Sequence, residues 1–216
     1  MYSNKSASGP NGARMPIIDI IAVTYEQAGP LQVLIQSFFN QTARNWRLNA
    51  IHDGNNSEFK KIMKNFLSHD NLRISYECTK VRHNDFGHSL REMGLKSVSG
   101  DYVLITNGDN YYVPRFVELV SKSIIETEAD VVMFDMVHSH NNPGGRKLPP
   151  YSYFQTRYRR RSIDIGAAVV RSELAKKAGF RDKTHDGDAT YFEDIARVGE
   201  RDLKIAKLNQ VLFVHN

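Results

Sequence analysis

The sequence predicts an α/β protein with a mostly parallel central sheet and helices on both faces. Two observations carry this. Across residues 17–137, short Ile- and Val-rich runs alternate with segments whose apolar residues recur at helical spacing. Each apolar run also ends in an Asp-, Asn- or Gly-containing turn rather than in a tight two-residue hairpin, so successive strands are joined by helical crossovers.

In chain order, "PIIDIIAVTY" reads as a buried strand, and "GPLQVLIQSFFNQT" spaces Leu31, Leu34, Ile35, Phe38 and Phe39 along one helical face. "WRLNAIHDGNN" is a second strand ending in a DG turn. "SEFKKIMKNFLS" is an amphipathic helix with Ser57 as the expected N-cap. "LRISYEC" is a third strand, and "GHSLREMGLKSVSG" a third helix closed by Gly100. "DYVLITNGD" is the fourth strand, "PRFVELVSKSIIETE" a helix with proline in its first turn, and "ADVVMFDMV" a fifth strand. The period is then lost over "HSHNNPGGRKLPPYSYFQTRYRRR", a loop long enough to imply a functional excursion. "SIDIGAAVVRSELAKKAGF" gives a strand and a short helix, "ATYFEDIARVGER" another helix, and "KIAKLNQVLFVH" a late strand pair.

The chain has 216 residues, 41% hydrophobic and 25% charged, which suffices for one domain over 16–216. The polar "MYSNKSASGPNGARM" over 1–15 is expected to be a disordered tail or a cloning remnant, and it holds no apolar signal core. No apolar run approaches the roughly 20 residues of a membrane span. The single cysteine, Cys78, suits a reducing, cytoplasmic setting. The net charge of +5 gathers at "RYRRR", Arg157 to Arg161, either as a solvated face or as a contact for an anionic ligand.

In open parallel sheets, ligands bind beyond the carboxyl ends of the strands. Three strands deliver polar residues to that rim: Thr24, Tyr25 and Glu26; then Asp53, Gly54 and Asn55; then Asn107, Gly108 and Asp109. No G-x-G-x-x-G, no P-loop and no G-x-S-x-G elbow is present, which argues against a dinucleotide site, a Walker-type phosphate cradle and a serine hydrolase. A rim of acids and amides without a glycine cradle would need a cation to hold a diphosphate, and Asp109 is the natural hard ligand for Mg²⁺ or Mn²⁺.

These segments resemble the family-2-type glycosyltransferases of GT-A fold. "IIAVTYEQAGPLQVLIQSFFNQT" and "WRLNAIHDGN" match their opening, "GHSLREMGLKSVSGDYVLITNGDNYYVP" their A-R-N and D-x-D region, "IGAAVVRSELAKKAGF" their G-A-x-x-x-R segment and "YFEDIARV" their E-D helix. The resemblance implies a nucleotide-diphosphate-sugar donor, UDP-linked, bound by residues 16–137, and transfer with inversion to the hydroxyl of a saccharide or other acceptor on the side formed by 138–216. It implies donor contacts from Thr24, Tyr25, Glu26, Asp53, Gly54, Arg91, Asn107, Gly108 and Asp109. It also implies a metal held by Asp109 and the late His215, and a general base at Asp194, with Glu193 as the alternative. Departures are Val23 for proline, Glu26 for asparagine, His52 for the first acid of D-D-G, Glu92 for the asparagine of A-R-N, and Asn107 for the first acid of D-x-D. Two other readings stand beside this one. A nucleotidyltransferase of related fold would want a basic, Gly-rich first loop, which "TYEQAGP" is not. A non-catalytic anion- or RNA-binding module would use "RYRRR" with Tyr151, Tyr153, Phe154 and Tyr158 interleaved.

Overall fold

The computed structural model describes residues 14–70, 72–140, 147–199 and 202–216. The tail expected over 1–15 lies outside the described residues except at its end, where Arg14 pairs with Asp101 at 2.8 Å. Residues 141–146 of the long loop lie outside them as well.

The first strand, β1 (Ile18–Thr24), runs between β2 (Trp46–His52) and β4 (Tyr102–Asn107), parallel to both, and β3 (Ile74–Cys78) adds in parallel beyond β2. Successive side chains of a strand point to opposite faces, so β1 feeds two cores. Ile18, Ile20 and Ala22 pack with α1 (Ala28–Phe39), α2 (Ser57–His69) and α4 (Phe116–Thr127). Ile21 and Val23 pack with α3 (His88–Ser97), α5 (Ser172–Ala178) and α6 (Gly187–Val198) on the other side. Helices on both faces of a continuous sheet follow directly from that alternation.

The sheet is mixed rather than parallel throughout. β8 (Ala168–Arg171) inserts antiparallel between β4 and β6 (Val131–Ser139), so the fifth sequence strand is not a direct neighbour of the fourth. β6 pairs in parallel with β9 (Ile205–His215), an unbroken strand of 11 residues where the sequence suggested a pair. The far end of β9 pairs with β5 (Tyr111–Tyr112). The β6/β9 register slips on both sides of Asp135, which is 2% exposed. Its carboxylate accepts from Tyr153 Oη (2.8 Å) and Thr156 N (2.9 Å) and pairs with Lys207, so the irregularity encloses a satisfied charge. The aperiodic stretch after β6 contains a strand, β7 (Tyr151–Phe154), on the edge of β6.

Some boundaries differ from those expected. Asn56, not Ser57, caps α2, accepting from Phe59 N at 2.8 Å. The third helix ends at Ser97, and Gly100 instead passes so close to Ile17 O that a Cβ would lie 2.8 Å away. Pro114 precedes the start of α4 by two residues.

Candidate active site

Strand register sets the site. Thr24 lies opposite His52, and Val23 opposite Asn107, so β1, β2 and β4 end level with one another. Two hydrogen bonds carry the alignment past the strand ends: Asp53 N to Thr24 O (3.0 Å) and Gly108 N to Val23 O (2.8 Å). Gly108 is required there, because a Cβ would sit 2.8 Å from Thr24 Cβ.

Beyond β4, "NGDN" divides its labour. Asn110 is fully buried and donates to Thr106 Oγ1 at 2.9 Å, so it belongs to the scaffold. The Asn107 amide oxygen accepts from Arg91 Nη2 at 2.9 Å. Asp109 Oδ2 accepts from Gln27 at 2.8 Å, while its Oδ1 is buried with no partner among the described residues. A buried carboxylate oxygen left unpaired is costly unless a ligand completes it.

The rim opens into a cleft with two halves. The first, about 390 Å³, is lined by Thr24, Tyr25, Asp53, Arg82, Asn107 and Asp109. The second, about 620 Å³, is lined by Arg91, Asn107, His138, Asp164, Asp188 and His215. Asn107 and Phe86 line both. Asp53 organises the wall of the first half: its carboxylate accepts from the amides of His83 (2.8 Å) and Asn84 (3.0 Å). The Arg82 guanidinium lies 3.6 Å from the centre of the Tyr25 ring, which puts a cation beside Asp109's half of the cleft. Nothing about Arg82 in the sequence signalled this, because it sits in a loop with no period.

Several expected residues stand elsewhere. Glu26, with His52 and Glu58, lines an adjoining pocket that meets the first half at Thr24 and Gln27. Gly54 (φ +94°) forms the turn after β2 and donates to Thr79 Oγ1 at 2.6 Å. His52, which replaces the first acid of the family's D-D-G, bonds Gly54 O through Nδ1 (2.9 Å) and accepts from Glu26 N through Nε2 (3.4 Å); it is buried scaffold.

The structure does not bring Asp194 or Glu193 to the cleft. Asp194 is buried under Arg181 (2.6 Å) and Arg197 (3.1 Å), and the Arg181 hydrogen bond holds its carboxyl below the usual range. Glu193 pairs with Arg160 at 2.9 Å on an outer groove, and that bond lowers its pKa too. The same contact neutralises part of the "RYRRR" run, while Arg161 lines the cleft. The acid of α6 that does face the cleft is Asp188, six residues before Asp194 and so some 240° around the helix. Its Oδ1 accepts from Arg91 Nη1 at 2.5 Å. Its Oδ2 takes no hydrogen bond among the described residues. Arg91, 3% exposed, thereby ties Asp188 to Asn107 across the two halves. The helix starts at Gly187, where a Cβ would meet His88 Nε2 at 2.5 Å; "GD" at a helix start was the available signal.

Among the described residues, no three His, Cys, Asp or Glu side chains gather to hold a cation. His215 is engaged with His138 (Nδ1 to Nδ1, 3.0 Å) and stands 3.4 Å from Asp164, whose pKa burial raises. What remains is the unpaired Asp109 Oδ1, which fits a cation that takes its other ligands from a bound diphosphate.

Fold and rim together define a GT-A architecture, and comparison with known proteins gives the family. The family model "Glycosyl transferase family 2" matches residues 19–182, and the chain belongs to that family. It is 29% identical over 117 residues to glycosyltransferase GlyA of Streptococcus pneumoniae, covering 54% of this chain and 16% of GlyA. It is 24% identical over 140 residues to the uncharacterized glycosyltransferase YwdF of Bacillus subtilis, covering 62% of this chain and half of YwdF. The chain thus spans half or less of these curated relatives. Among solved structures, a fragment of S. aureus TarS in complex with UDP-GlcNAc superposes with a TM-score of 0.73 at 15% identity, covering 92% of this chain and 58% of that one. Mannosyltransferase PcManGT from Pyrobaculum calidifontis, in complex with GDP-Man and Mn²⁺, gives 0.71 at 14%, covering 96% and 59%. Among the described residues no helix is long and apolar enough to cross a membrane.

Proposed function

We propose that this chain transfers a sugar from a UDP-linked donor to an acceptor hydroxyl with inversion, in the cytoplasm, and that Asp188 is its base. The observation that carries this reading is one cleft with a carboxylate oxygen in each half that takes no hydrogen bond among the described residues, Asp109 Oδ1 and Asp188 Oδ2, Arg91 joining Asp188 to Asn107 between them. The nucleoside lies in the half walled by Tyr25, Asp53 and Arg82; the acceptor lies in the half lined by His138, Arg161 and Asp188. Solved neighbours with UDP-GlcNAc and GDP-Man support a nucleotide-sugar donor. Mn²⁺ or Mg²⁺, held by Asp109 and the diphosphate oxygens, would neutralise the leaving group's charge. Arg82 offsets part of that charge. Arg91 orients the Asp188 carboxylate, which takes the acceptor proton as the hydroxyl oxygen attacks the anomeric carbon opposite the departing diphosphate.

Asp188→Asn keeps shape but cannot accept the proton. Transfer from UDP-sugars, measured by UDP release with acceptor, should fall roughly 10² to 10⁴-fold with UDP affinity unchanged. Undiminished transfer would remove Asp188 from the mechanism.

A further inference from the structure

The wall between the two halves is built from a strained loop. Asn84 (φ +54°), Phe86 (φ +59°) and Gly87 (φ +83°) all occupy the left-handed region within four residues. A bulky side chain rarely adopts that conformation, and it persists only where neighbouring contacts over-determine it. They do so here. Asp53 grips the amides of His83 and Asn84, and Asp85 Oδ2 accepts from both Ser89 N (3.0 Å) and Ser89 Oγ (2.6 Å). The result is Phe86 held 62% exposed, an unfavourable place for a phenyl ring. The ring is not loose. His185 stands edge-on to it, with centroids 5.7 Å apart and an interplanar angle of 89°.

Phe86 and Asn107 are the residues that line both the nucleotide half and the acceptor half. A sugar carried on a nucleoside diphosphate and passed to an acceptor must occupy that junction. The face of a phenyl ring carries negative potential and attracts the weakly positive C–H bonds on the apolar face of a pyranose. We infer that Phe86 is a stacking platform for the transferred sugar, and that the donor carries a hexopyranose whose apolar C–H face lies on the ring. The strain around residue 86 presents this platform rather than stabilising the fold.

This inference rests on the proposed donor site, and the test separates the two. UDP, UDP-glucose, UDP-galactose, UDP-GlcNAc, GDP and GDP-mannose are titrated with Mn²⁺ into the wild type and into Phe86→Ala, Phe86→Trp and Phe86→Gly by calorimetry. With the preferred donor, Phe86→Ala should lose at least tenfold of the affinity gained over the free nucleotide, about 1.4 kcal/mol. Free-nucleotide affinity should stay the same, and Phe86→Trp should restore the sugar-dependent part. Phe86→Gly relieves the left-handed backbone, so its melting midpoint should equal or exceed that of the wild type while sugar binding is still lost. Equal weakening of nucleotide and nucleotide-sugar in Phe86→Ala, or no change in either, would overturn the platform and leave the donor site standing. If no nucleotide binds the wild type, the donor site itself is wrong, and the platform falls with it.

Discussion

At the scale of single residues, α6 places one acid, Asp188, on the cleft and another, Asp194, in an ion-pair cluster away from it. Asp188 faces the cleft with an open oxygen, while Asp194 is held by two guanidinium groups on the far side of α6. Asp194→Asn should therefore leave transfer intact and cost about 1 kcal/mol of stability at pH 7, since Arg181 and Arg197 are themselves largely exposed. The folded carboxyl titrates below its ordinary 3.8, chiefly through the Arg181 bond. Its contribution is thus present above that value and lost as pH falls through the lower folded one. Denaturation of wild type and variant should differ at pH 7 and converge in strong acid; a difference that persists there, or loss of transfer, would contradict this role. The rim was legible because polar residues at strand ends stand out against an apolar strand, and Asp109 needed no more than that. The proposed base, Asp188, was not legible. Reading the helix from Ala189 left Asp188 in a loop, and resemblance then favoured the adjacent pair Glu193 and Asp194.

At the scale of elements, the N-terminal strands and helices follow from periodicity, because long amphipathic segments average out local noise. β7, four residues long, carries too few positions to show a period; β8 was read as a strand, but its antiparallel insertion depends on contacts distant in sequence. Packing of α3 on β1 illustrates the limit of local propensity. Gly94 lies mid-helix, where Ala would ordinarily gain about 1 kcal/mol. A Cβ at 94, however, would sit 2.5 Å from Ile21 Cγ2, which lies inside a fully buried strand and cannot swing away. Overpacking of this kind costs about 1–3 kcal/mol, so the clash outweighs the propensity. Gly94→Ala should lower the urea midpoint without changing the slope. An unchanged or raised midpoint would mean that α3 shifts freely on the sheet.

At the scale of the whole molecule, the curled mixed sheet brings β4, β6, α6 and the end of β9 around one cleft. Residues from 23 to 215 thereby line a single cleft. Family membership follows from residues 19–182, but the donor and its cation rest on Asp109 and its unpaired oxygen. The most direct test is calorimetric titration of UDP into the wild type and Asp109→Asn, each with Mn²⁺ and with chelator. A site that needs a cation to hold a diphosphate should bind UDP at least tenfold more tightly with Mn²⁺, a difference of about 1.4 kcal/mol, and Asp109→Asn should erase that difference. Binding that ignores Mn²⁺ in the wild type, or a Mn²⁺ effect that survives in Asp109→Asn, would contradict the assignment of this cleft.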